Sequence, residues 1–153
     1  MRKLIVLALA AAFATASWAQ QKEKTGNGAF DALDKNTDQF LSREEVAAEK
    51  ELAKRFARFD ANKDGKLNVD EYIKAMQDND RRVIRDSTIT TKVKTALLAE
   101  KGVPSFAISV VTYEATVQLS GFVDSEEIRD KAAKVAAGVS DVKQVQNSLI
   151  VRK

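Results

Sequence analysis

Two short stretches carry oxygen-bearing side chains at a spacing that suits a hard metal ion. Asp60, Asn62, Asp64, Asn68 and Glu71 stand at positions 1, 3, 5, 9 and 12 of one run. Asp34, Asn36, Asp38, Ser42 and Glu45 stand at the same positions of another. Calcium takes about six to eight oxygens in flexible geometry. A curling backbone lets the first three side chains of each run point inward. The position-7 residue, Phe40 or Lys66, then offers its backbone carbonyl, and the closing Glu supplies both carboxylate oxygens. Candidate metal ligands are therefore Asp34, Asn36, Asp38, Phe40 and Glu45 in the first run, and Asp60, Asn62, Asp64, Lys66 and Glu71 in the second. The position-9 residue acts directly or through a water. The chain has neither Cys nor His. That removes disulfides, thiolate nucleophiles, imidazole bases and the usual zinc and copper ligands. Any metal must be held by oxygen, which suits calcium, magnesium or manganese.

Such a loop must turn sharply at position 6. Gly65 suits that turn, because glycine adopts φ > 0 without steric cost. Gln39 stands there in the first run, and either a positive φ or a relaxed turn costs on the order of 1 kcal/mol. The first run is expected to bind more weakly, or to be a structural pseudo-site. The flanks repeat as well: Phe30 and Leu33 precede Asp34, Phe56 and Phe59 precede Asp60, and Leu41 matches Leu67 at position 8. With matching flanks, the two runs resemble an EF-hand calcium pair. The resemblance implies bound Ca2+ and a short two-stranded contact between Leu41 and Leu67. Val46 to Phe59 contains no Gly or Pro: either one continuous helix serves both loops, which the lack of a breaker favours, or a bend near Ala48–Glu51 makes two short ones.

The elements beyond the loops divide the chain. Gln77 to Asp86 is dense in charge and reads as a linker, with Asp86 or Ser87 capping the next helix. Ile89, Val93, Ala96 and Leu97 form a core-facing stripe that Gly102 and Pro104 end. Phe106 to Thr112 and Thr116 to Val123 alternate as strands, joined at Tyr113-Glu114-Ala115. Asp124 with Glu127 forms a capping box for a second helix, and Val142 to Val151 alternates again.

Val117-Gln118-Leu119-Ser120-Gly121-Phe122-Val123, then Gly138-Val139-Ser140-Asp141-Val142 and Val145 to Val151, resemble a BON domain. Such modules occur in bacterial osmotic-stress periplasmic proteins, secretins and related envelope proteins. The resemblance implies two helices on one face of a three-stranded sheet. It also implies binding to membrane phospholipid or envelope proteins rather than catalysis. Glu114-Ala115 stands where family members often have a Gly, which puts the tight turn in question. Gly121 reads as a packing glycine, where a side chain would meet the neighbouring helix.

The expected fold class is α+β: an all-α EF-hand pair followed by a small domain in αββαβ order. The expected segments are a signal peptide at 1–19, a flexible N-terminus at 20–28, the pair at 29–77, a linker at 78–86 and the BON-like domain at 87–153. Arg2 and Lys3, an apolar run from Leu4 and the small residues before a cut after Ala19 make the secretory pattern. The expected location is periplasmic, with no membrane span after cleavage. Losing Arg2 and Lys3 brings the formal charge of +3 close to neutral, which argues against a nucleic-acid binder. The expected function is an exported calcium-binding protein, not an enzyme, whose BON-like module engages anionic phospholipid or an envelope protein. The alternative is a chaperone-like stress protein in which calcium is purely structural.

Overall fold

The computed structural model describes residues 24–152. The expected leader at 1–19 lies outside the described residues. Helix α1 spans Gly28–Leu33, α2 spans Lys50–Phe59 and α3 spans Val69–Ala99. A 3-10 turn at Ser105–Ala107 leads into β1 (Ile108–Tyr113) and β2 (Thr116–Val123). Helix α4 (Glu126–Ala137) and β3 (Gln144–Val151) complete the chain. The fold is α+β, with α4 set between β2 and β3, as the sequence pattern predicts.

The first module packs Phe30, Leu41, Val46, Leu52, Phe56, Leu67, Tyr72 and Ala75 into one core. Phe30 and Tyr72 meet edge to face, with ring centroids 5.5 Å apart. Leu41 and Leu67 form the expected bridge, with N–H to carbonyl bonds of 2.8 and 2.9 Å in the two directions. The continuous helix from Val46 does not form. Residues 43–48 turn irregularly, and α2 begins only at Lys50. Packing explains the break. On one straight helix Val46 would point about 100° away from the Leu52 and Phe56 stripe. The bend at Glu49 (φ −90°, ψ 79°) lets all three enter the same core.

The second module sets α3 and α4 on a three-stranded sheet of order β1-β2-β3. β1 and β2 are antiparallel, while β2 and β3 are parallel. Its core includes Ile89, Val93 and Leu97 of α3, Ala132 and Ala136 of α4, and Val110, Val117, Leu119 and Leu149 of the sheet. Ser125 caps α4, its side chain accepting from Ile128 N–H, so the cap lies one residue past the expected Asp124. Gly121 has φ +130°, and a Cβ there would run onto the Ala107 carbonyl oxygen. The glycine is required by close backbone approach, and the obstacle is the 3-10 turn beside the strand rather than a packed helix.

The charged segment at 78–86 is the middle of α3, not an irregular linker. One helix of 31 residues, about 46 Å long, contributes to both cores. Its sequence has no Gly or Pro, so no breaker stops it, and packing at both ends carries it through its Asp- and Thr-rich middle. Asp86 does not cap a helix start. It lies inside α3, only 4% exposed, and its two oxygens accept the backbone N–H groups of Glu114 and Ala115 at 2.9 Å each. Those residues form the β1–β2 turn, both at positive φ (50° and 63°). The tight turn therefore forms without glycine because a buried carboxylate from another element fixes it.

Candidate functional site

The two loops share one hydrogen-bond pattern, with one more amide reaching the closing acid in the first. At position 1, Asp34 accepts the N–H groups of Asp38 and Gln39, and Asp60 accepts those of Asp64 and Gly65. At position 5, Asp38 accepts from Phe40 N–H and Asp64 from Lys66 N–H. At position 12, Glu45 accepts the amides of Lys35, Asn36 and Ser42, while Glu71 accepts those of Ala61 and Asn68. Each carboxylate oxygen holding one such bond retains another lone pair for a cation. Asn68 also accepts Glu71 N–H, so the closing acid sits in a reciprocal capping box at the start of α3.

Backbone conformation repeats too. Gln39 takes φ 66° where Gly65 takes φ 81°, so the first loop keeps the turn and carries its steric cost. Position 4 is also left-handed in both loops, at Thr37 (φ 54°) and Lys63 (φ 58°). Sequence reasoning missed this second strained position. No Gly or Asn marks it, and only the repeat itself could have suggested it.

The loops differ in what neutralises them. Lys66, from the second loop, extends its ammonium to Asp38 Oδ2 of the first at 2.8 Å. The same ammonium lies 5.4 Å from the centre of the Phe40 ring. This contact holds the Asp38 carboxyl below its ordinary range and raises Lys66. Burial pushes the Glu45 carboxyl up, but hydrogen bonds from Ser42, Asn36 and Lys35 outweigh it and leave it lowered. In the second loop, Asp64 Oδ2 accepts from the Asn62 amide at 2.8 Å and makes no ion pair among the described residues, though the Lys66 ammonium feels its charge.

The expected side chains thus come together loop by loop around the loop amides. Among the described residues, no three acidic groups converge tightly enough to enclose an ion as they stand. The second loop's oxygen donors, with Asp60, Asp64 and Glu71 in no salt bridge among the described residues, fit a hard divalent ion in chemistry. The first loop fits less well, because Asp38 already faces the chain's own ammonium. At position 7, the N–H groups of Phe40 and Lys66 donate to Asp38 and Asp64 of their own loops.

Between the modules lies a polar cleft of about 400 Å³. Arg55 and Arg58 of α2, Arg81, Arg82 and Arg85 of α3, and Lys143 before β3 line it. Behind it, Glu51 pairs with Arg55 at 2.9 Å and with Arg82 at 3.4 Å. Tyr113 of β1 donates to Glu51 and stands between Lys54 and Arg82, whose charges lie 5.0 and 4.7 Å from its ring centre. The modules therefore meet through a packed ionic seam. Among the described residues, no helix is long and apolar enough to cross a membrane.

Comparison with known proteins matches both halves. An EF-hand family model matches residues 52–76, taking in the second loop and stopping short of the first. A BON domain model matches residues 85–153. The osmotically-inducible protein Y of Escherichia coli (strain K12) is 48% identical over 67 residues, which is 44% of this chain. The match spans a third (33%) of that relative's own length.

Proposed function

Starting from a chain that carries an EF hand followed by a BON domain, we propose a calcium-braced envelope stress protein that binds partners rather than catalysing a reaction. The observation that carries this reading is α3. Its first turn contains Glu71, the closing acid of the second loop, and its last turns pack under the BON sheet. When bound, calcium supplies the divalent charge that offsets Asp60, Asp64 and Glu71. The residues do the rest. Glu71 bridges Ala61 and Asn68, so it fixes the start of α3 against the loop. Asp60 directly follows α2, so the same loop sets the angle between α2 and α3. The BON module then presents its surface to anionic phospholipid or to an envelope protein. The relative's name, which records osmotic induction, supports the stress class, and the secretory pattern of residues 1–19 supports export to the periplasm.

Thermal melting with and without calcium tests the brace. A dissociation constant of about 10⁻⁴ M against about 1 mM calcium stabilises by roughly 1.4 kcal/mol. That corresponds to a rise in Tm of about 5 °C for a chain of this size. Glu71→Gln should abolish most of the rise. An unshifted wild type, or a Glu71→Gln variant that keeps the full shift, would refute the assignment. Flotation with anionic vesicles, with and without calcium, tests the partner.

A further inference from the structure

We infer that the cleft between the modules is a binding site for a phosphate group. It goes beyond the reading above, because it belongs to neither the calcium loop nor the BON module alone.

Four segments contribute to it: α2, α3, the β1–β2 turn and the approach to β3. Its cations fall in two tiers. Arg55 and Arg82 are deep, with side chains 7% and 12% exposed, and are held from behind by Glu51, Asp78 and Asp86. Arg82 Nε is buried with no hydrogen-bond partner. Such an N–H costs free energy unless something accepts from it. Arg81, Arg85 and Lys143 stand at the mouth, exposed, and none of them pairs with an acid among the described residues. Arg81 and Arg85 lie one helical turn apart, and Lys143 is set opposite by its N–H bond to the Ala115 carbonyl at 2.9 Å.

Only Asp78 and Glu114 supply negative charge in the lining. Asp78 is spent on Arg55 and Arg58, and Glu114 reaches Arg55 only at 4.0 Å. Like charges gathered in a concave site raise the local potential and attract an anion. Guanidinium forks suit phosphate oxygens, which accept paired hydrogen bonds. A lone carboxylate would answer one of the three free cations, whereas a phosphate ester presents several oxygens to all of them. The lining has no aromatic ring on which a base could stack. The group recognised is therefore the phosphate itself, on a lipid headgroup or on a small soluble ester.

Isothermal titration of the full chain with inorganic pyrophosphate, and flotation with phosphatidylglycerol vesicles, test this at about 0.15 M salt. The double variant Arg81→Gln/Arg85→Gln should weaken binding about tenfold or more. Lys94→Gln/Lys134→Gln removes the same charge from exposed positions elsewhere and should leave it unchanged. Binding of pyrophosphate alone identifies a soluble ester. Vesicle binding that pyrophosphate competes away identifies a headgroup. Equal weakening by both double variants, or no binding of either probe, overturns the proposal. The calcium-dependent melt of Arg81→Gln/Arg85→Gln should match wild type, which separates loss of this site from failure of the calcium brace.

Discussion

Asp86 has a local role that its neighbours in sequence do not disclose. Its carboxylate accepts two turn amides and the Arg82 guanidinium while almost wholly buried. Removing it leaves two N–H groups without acceptors over a turn whose two residues are both left-handed. Asp86→Ala should therefore cost about 3 kcal/mol in urea unfolding. Changing Glu114-Ala115 to Asn-Gly supplies residues that accept positive φ unaided. In that background the Asp86→Ala cost should shrink, and a cost that stays the same would show that the carboxylate does not hold the turn. Gly121→Ala places a methyl group on the Ala107 carbonyl and keeps a φ of +130°. The expected loss is about 3 kcal/mol, against little change for Ser120→Ala on the adjacent, half-exposed position.

The elements that could be read from sequence are those whose cause is local. The loop acids, Gly65, and the strands from Thr116 and up to Val151 follow from spacing and alternation alone. The Leu41–Leu67 bridge followed from the EF-hand resemblance, with the repeat supplying its two residues. What escaped was set by distant partners. A bend near Ala48–Glu51 is one of two readings the residues leave open, and it is chosen because Val46 must join the core of Leu52 and Phe56. The continuity of α3 arises because both modules hold the same helix. Asp86 was legible as an acceptor of backbone N–H groups, but the amides it serves are 28 and 29 residues away. The continuity of α3 can be tested at Ile84, which is 68% exposed between the two cores. Ile84→Pro breaks the helical ladder there, at a cost of about 3 kcal/mol. Hydrogen exchange should then show calcium slowing amides near Tyr72 but no longer those near Val93. Wild type should slow both, and a proline variant that still slows both would sink the idea that α3 carries the signal.

At the scale of the whole molecule, the modules are joined by charge as well as by a helix, and charge responds to pH. Glu51 of α2 faces Lys54 and Arg55 on its own helix, Arg82 on α3 and the Tyr113 hydroxyl on β1. Burial raises its pKa, but hydrogen bonds from Arg55, Lys54 and Tyr113 outweigh burial and hold the carboxyl below its ordinary 4.5. A carboxyl lowered by folding stabilises the folded state above its unfolded pKa, and the stabilisation fades as pH falls through the folded value. The seam should therefore be intact at neutral pH and weaken below about 4.5. Glu51 is more than a third exposed, so the effect is screened and should shrink further in high salt. Melting curves from pH 7 down to about pH 3 should fall less steeply for Glu51→Gln than for wild type, because the variant has no charge to lose there. Asp38 and Glu45 are also held below their ordinary range, so the difference between the two curves, not either alone, reports the seam. Identical slopes would mean that Glu51 does not join the modules. A difference that disappears in about 1 M salt would confirm that the union is ionic.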